Sequence, residues 1–384
     1  MTRINLTGAW YSSRNAGDQA ILVTIRALLE SRIPDLRIQV ICARDDFVRT
    51  EHPGLDAVSQ TKHLGKTLLS VARSDALLLG GGTPFYNEFK HMCFFWGLSL
   101  VCKLTGGKLV VYGASAQQLH KPSARWFTRR IMNMADLITV REPVTKRQLE
   151  RLGVRSAIHC TADPAITLTP CAPARVDEIF RAEGLDEGEG PVFAICPHFF
   201  SNIDPYRVHH YEKFADHHLE RQQNVLAAAA DHLTQHGRVV FLPMNTDPPD
   251  SDVDVQRDIQ RRLEKPERVT VIETQYRPRE IAGILARCKL VIGVRLHSLI
   301  LAAAVHTPVI AINYAPKVEG FMALIDETEH SLPLQQLEFP ALRQMIENYL
   351  AHYEGKRHVF VEHVTRAQER ATENADMVAR LLRP

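Results

Sequence analysis

Arg295 and His297 stand two residues apart in the stretch GVRLHS, between the apolar runs Leu290–Ile292 and Leu299–Val305. A guanidinium is a forked donor that suits a carboxylate or a phosphate. An imidazole exchanges its proton near neutral pH. The stretch reads as strand, short loop and helix: Gly293 ends the strand, and Ser298 is placed to cap a helix running to Val305. That helix is almost wholly small or apolar, so it is buried. Its N-terminus then offers orphan N–H groups and partial positive charge. After the next strand, NYAPK brings Lys317 to a neighbouring place. Helix end, Arg295, His297 and Lys317 together make an anion site. A lone histidine reads as a satisfied core residue, but Arg295 nearby and Lys317 one strand over favour chemistry.

Other strand ends carry further candidates. GAWYSSRNAGDQAIL is a long polar loop with Asn15, Gly17 and Asp18 at its end, and Asp18 suits a helix cap. GGGTPFYNE at 80–88 permits close backbone approach at Gly81 and Gly82, with Phe85 and Asn87 beyond. It is neither G-x-G-x-x-G nor a Walker loop. In VREPVTKRQLERLGV, Arg141 precedes a helix opened by Pro143, where a surface ion pair with Glu142 or a neighbour competes with a ligand role. In CTADPAI, Asp163 reads as a turn residue. HFFSNIDPYRVHHY at 198–211 follows another strand.

Positioning these residues requires a repeated pattern of strands and helices. Strands are expected at Ile4–Ala9, Arg37–Cys42, Ala76–Leu79, Lys108–Tyr112, Leu137–Val140 and Ala157–Cys160, with amphipathic helices between them. A stretch rich in Pro, Gly and charge follows, and the alternation restarts with strands at Val192–Cys196, Arg238–Leu242, Val269–Ile272, Leu290–Ile292 and Val309–Asn313. This is an α/β pattern of parallel sheets covered on both faces. It predicts two doubly wound domains facing a cleft, 1–172 and 191–341, with a linker at 173–190 that contains one short helix, and a helical tail at 342–384. Ligands of such sheets bind beyond the carboxyl ends of the strands. The tail mixes charges of both signs on a weakly apolar face, which suits packing across the domains better than a membrane surface.

The bulk properties exclude some classes. The 384 residues hold 46 Lys and Arg against 44 Asp and Glu, a net charge of +2, so a dedicated nucleic-acid binder is disfavoured. Seven scattered cysteines form no C-x-x-C pair and read as buried thiols of a reducing compartment, with no metal site. No signal segment opens the chain and no apolar run reaches about 18 residues. A cytoplasmic protein is expected.

NAGDQAIL, DALLLGGG, VREPVTKRQLERLGV followed by ADPA, and GVRLHSLILAAAVHTPVIAINYAPKVEG resemble the polysaccharide pyruvyl transferase family, over roughly residues 4 to 320. The last of these is the most specific. The resemblance implies two Rossmann-like halves similar to GT-B glycosyltransferases. It also implies transfer of the pyruvyl group of phosphoenolpyruvate to two hydroxyls of a sugar, forming a ketal. The chain departs from the family at Thr83-Pro84, at Asn87-Glu88 and in the 198–211 loop, which concerns the acceptor more than the donor. On this chemistry Arg295 and His297 are catalytic. Arg295, Lys317, Ser298 and Arg141 hold the donor, and Asn15, Gly17, Asp18, Gly81, Gly82, Phe85 and Asn87 meet the acceptor. Phosphoenolpyruvate is a co-substrate, and neither cofactor nor metal is required. The acceptor is left open among a saccharide, a lipid-linked saccharide and a smaller metabolite. Peripheral membrane contact and self-association stay open too. Two rivals remain: a nucleotide-sugar glycosyltransferase, with Glu319 holding a ribose, and a non-catalytic anion-binding protein.

Overall fold

Short runs of Val, Ile, Leu and Ala, buried on both faces, form the central strands, as parallel sheets with helices on each side require. ALLLG, VFAIC and VIAIN are such runs. The computed structural model describes residues 1–116, 118–186, 190–198, 216–248 and 251–383. Residues 199–211 of the loop noted above lie outside them.

The first half of the chain alternates β1 (Thr2–Thr7), α1 (Ala16–Glu30), β2 (Leu36–Cys42), α2 (Asp45–Glu51), β3 (Asp56–Ser59), α3 (Leu64–Ala72), β4 (Ala76–Gly80), α4 (Phe89–Leu104), β5 (Lys108–Ala114), α5 (Pro122–Met134), β6 (Leu137–Val140), α6 (Pro143–Arg151) and β7 (Ile158–Cys160). These strands form one parallel sheet in the order β3-β2-β1-β4-β5-β6-β7. The second half runs α7 (Pro173–Ala182), β8 (Val192–Cys196), α8 (Asp216–Leu233), β9 (Arg238–Phe241), α9 (Asp252–Gln260), β10 (Val269–Val271), α10 (Pro278–Ala286), β11 (Cys288–Gly293), α11 (Leu296–Ala304), β12 (Val309–Asn313), α12 (Pro316–Leu324), β13 (Ser331–Pro333), α13 (Phe339–Ala351) and α14 (Tyr353–Leu381). Its parallel sheet has the order β10-β9-β8-β11-β12-β13. Both orders reverse direction beside the first strand, the signature of doubly wound sheets.

The chain folds into two compact units. Unit 1 comprises 1–13, 21–167 and 368–384, and unit 2 comprises 14–20 and 168–367. The expected boundaries were continuous in sequence, and two segments depart from them. Residues 14–20, including the first turn of α1, belong to unit 2. The end of α14 belongs to unit 1, where Asn374 is buried, accepts from Thr161 Oγ at 2.8 Å and donates to the Ala162 carbonyl at 3.1 Å. The segment read as a linker contains α7, which packs on α10 within unit 2. The thiols are unpaired, and burial pushes Cys42 and Cys288 up to about 12.

Candidate functional site

The strand order of unit 2 reverses between β8 and β11, and the loops after these strands diverge there. His198 follows β8, and Arg295 and His297 follow β11. The Val294 N–H still donates to the Cys196 carbonyl at 3.1 Å, which holds the chain on the sheet for one residue past β11. Helix α11 then begins at Leu296, three residues earlier than a Ser298 cap would place it, with Arg295 at the cap position. Ser298 therefore does not cap. Its hydroxyl sits inside the first turn and donates back to the Arg295 carbonyl at 2.6 Å. His297 lies in the same first turn of α11.

Arg295 is held by Asp252, the first residue of α9. Its Nε lies 2.8 Å from the carboxylate, which is wholly buried. The backbone N–H groups of Met244 and Asn245 donate to the same carboxylate at 3.0 and 2.9 Å, and His198 Nδ1 lies 3.4 Å from it. Desolvation alone would raise the Asp252 pKa, but the Arg295 charge and the His198 contacts outweigh it, so the group is held below the ordinary carboxylate value. The ring of His198 is 5.7 Å from that of Tyr314, and Lys317 Nζ sits 5.3 Å above Tyr314. One continuous set of contacts thus joins the ends of β8, β11 and β12.

The segment 14–20 completes this surface. Asn15 pairs with Asn245, and the Ala16 N–H donates to the Met244 carbonyl at 2.8 Å. Asn15 Oδ1 accepts from Gly17 N–H at 2.9 Å and from Asp18 N–H at 3.4 Å, so Asn15 caps α1 in the role expected of Asp18. Gly17 lies flat against the His297 imidazole, and a methyl group at that position would collide with the ring.

The remaining candidates belong to unit 1. Arg141 is buried, 2.6 Å from Asp163 and 3.2 Å from Glu142, and its Nη2 reaches Thr83 Oγ at 3.4 Å. Desolvation opposes its charge, and Asp163 and Glu142 more than restore it, so its pKa is raised. Ser115 and Thr145 both donate to Glu142. The ion pair expected at the surface beside Arg141 is instead a buried network. Asp163 also accepts from Ala165 N–H at 2.9 Å, as its turn position suggested. The triple glycine is explained by packing. A side chain at Gly81, whose φ is +72°, would meet Ile21 and Ile25, and one at Gly80 would meet the Tyr112 carbonyl. Gly82 accepts from Ser115 N–H. Phe85 is fully buried in the core, and Asn87 clamps the turn at His120 and Lys121 through its side-chain oxygen.

Sequence reasoning passed over Asp252 and His198. His198 was within reach of the strand-end rule that found Arg295. Asp252 carries no local signal, since SDVDVQ reads simply as an acidic helix start.

A polysaccharide pyruvyl transferase family profile matches residues 15–316. An amylovoran biosynthesis protein, AmsJ of Erwinia amylovora, is 30% identical over 92 residues, which are 24% of this chain and 22% of that one. UDP-GlcNAc 2-epimerase from Neisseria meningitidis, solved with UDP-GlcNAc, superposes with a TM-score of 0.60 at 12% identity, over 100% of this chain and 99% of that one. ADP-heptose LPS heptosyltransferase II of E. coli gives 0.50 at 13% identity, over 92% and 100%. These likenesses establish a GT-B-like α/β fold. The profile match spans most of the chain and includes both the Asn15–Asp18 segment and the Arg295–His297 turn, and on it this chain belongs to the polysaccharide pyruvyl transferase family.

Proposed function

We propose that the chain transfers the pyruvyl group of phosphoenolpyruvate to two hydroxyls of a saccharide acceptor, forming a ketal and releasing phosphate. The observation that carries this reading is Arg295, buried and aligned by Asp252 at the start of α11, with His297 in the adjoining turn. Phosphoenolpyruvate bears about three negative charges near neutral pH, counting a phosphate whose second pKa is about 6. Arg295, Lys317 and the N–H groups of α11 answer that charge.

The enol carbon is the difficult centre. His297 gives a proton to the methylene carbon, which becomes the methyl group, and positive charge develops at C2. An acceptor hydroxyl attacks C2 and loses its proton. Phosphate then departs with the C2–O electron pair, and the second hydroxyl closes the ring with loss of its own proton. Arg295 and Lys317 hold the phosphate as it leaves.

A second reading, nucleotide-sugar glycosyl transfer, is favoured by one observation. Glu319, Asn313, Tyr314 and Gln335 line a cavity of about 440 Å³ beyond β12 and β13, able to take a hydroxyl-bearing group. Mass spectrometry of candidate saccharides after incubation with phosphoenolpyruvate separates the readings. Ketal formation adds pyruvate less water, about 70 Da, as covalent group transfer demands. A hexose-sized gain from a sugar nucleotide, with no reaction from phosphoenolpyruvate, would replace the first reading by the second.

A further inference from the structure

The charge of this chain is unevenly spread. Residues 57–135 hold ten Lys and Arg and two Asp and Glu, while the rest of the chain holds 36 and 42. A protein of net charge +2 therefore carries an excess of +8 on one fifth of its length. This span contains α3, α4 and α5, which pack side by side within unit 1, α3 on α4 and α4 on α5.

The same three helices expose apolar side chains. Among the described residues, eight large hydrophobics are exposed, and five of them are Leu64 (50%), Leu69 (49%), Phe89 (55%), Leu104 (77%) and Trp126 (41%). The helix α4, FKHMCFFWGLSLVCKL, explains much of this, because it is apolar around its whole circumference. Met92, Phe95, Leu98 and Cys102 face the core, while Phe89, Trp96, Leu100 and Leu104 remain exposed or half-buried on its outer side. A helix apolar on all sides belongs in a core or against an apolar partner. Trp96 and Trp126 are 5.8 Å apart, and the Arg130 guanidinium lies 5.3 Å from the Trp126 ring. Arg125, Arg129 and Arg130 are exposed on α5. His91 adds no charge near neutral pH, since burial pushes it down to about 4.

Lys103 of α4 is paired with Asp136 at 2.8 Å, but the other cations still outnumber the acids, and aromatic rings at a polar–apolar boundary, aliphatic side chains and an excess of Lys and Arg are what an anionic bilayer surface selects. We propose that the outer face of α3, α4 and α5 docks this protein on an anionic membrane surface. No described helix is long and apolar enough to cross a membrane, so the contact lies in the plane of the headgroups. A second copy is a poor occupant, because a two-fold contact would oppose two basic faces. The inference does not rest on the reaction proposed above. If both hold, the face brings the enzyme to acceptors carried on lipid.

The test is co-sedimentation of the full chain with vesicles of phosphatidylglycerol or of phosphatidylcholine, at low and high salt. Binding to phosphatidylglycerol alone, weakened by salt, is expected. The double variants Phe89→Ser with Leu104→Ser, and Arg129→Glu with Arg130→Glu, should each lose about tenfold or more in partitioning, since each basic residue near an anionic surface contributes severalfold. Their melting temperatures should match the parent chain, because all four side chains are exposed. Equal binding to both lipids, undiminished binding by both variants, or no vesicle binding would each overturn the proposal. A dimer dispersed by Leu104→Ser would assign the face to self-association instead.

Discussion

At the scale of single residues, Asp252 decides how the substitutions around it should behave. Removing one member of a buried ion pair leaves the other charge without compensation, at a cost of roughly 3–5 kcal/mol. Arg295→Ala should therefore lose stability as well as donor affinity. Lys317 is only half-buried and rests on Tyr314, so Lys317→Ala is the cleaner probe. It should weaken phosphoenolpyruvate binding about tenfold to 150-fold, the worth of one charge-assisted contact. Calorimetric titration reads this, and unchanged affinity would remove Lys317 from the donor site. His297→Gln should bind phosphoenolpyruvate within a few-fold of the parent, with turnover lower by about 10²–10⁴, the usual worth of a general acid. Single-turnover rates check it. Asp252 also predicts an acid limb. Its folded pKa lies below the ordinary value, so the stability it contributes is present above about pH 4 and lost as pH falls below that. Asp252→Asn should flatten that limb in urea midpoints measured downward from pH 5. Arg295, His297 and Lys317 were legible because each lies within four residues of a strand's end. The carboxylate that holds Arg295 lies 43 residues away in sequence, and only tertiary packing pairs the two.

Elements were legible where burial is complete. The central strands are unbroken apolar runs and stood out in the sequence, whereas β3 and β13 have four and three residues at sheet edges and did not. The start of α11 was misplaced for a related reason: serine is a common cap, but the sheet releases the chain at Val294, before Ser298 is reached. Helix α1 yields the sharpest test at this scale. Ala is the better helix former at Gly17 by roughly 1 kcal/mol, so propensity alone predicts a small gain in stability from Gly17→Ala. The contact with His297 predicts the opposite for function, because the added methyl displaces the imidazole. Turnover should fall at least about tenfold, as a misplaced catalytic group implies. Gly65→Ala, in the first turn of α3 with nothing near its new methyl, is the control and should leave turnover unchanged.

Across the whole molecule, two parallel sheets could be read from the alternation of patterns, but the exchange of 14–20 and 368–384 between the two units could not. The periodicity of α1 runs without a break from Ala16 to Glu30, and no composition change marks Ala20, where the helix passes from unit 2 to unit 1. A fragment of residues 168–384 would hold Arg295, His297 and Lys317 but would lack Asn15 and Gly17. It should bind phosphoenolpyruvate more weakly than the full chain, and calorimetry of the two would show it. The separation of Gly17 from His297, about 280 positions, also has a kinetic meaning. Contacts between distant parts of a chain form late, because the intervening loop must close before they contribute. On refolding from urea, helix signal should return first and turnover should lag behind it. During synthesis the same contact forms late as well: the Asn15 segment emerges well before the strands it must join and waits for them.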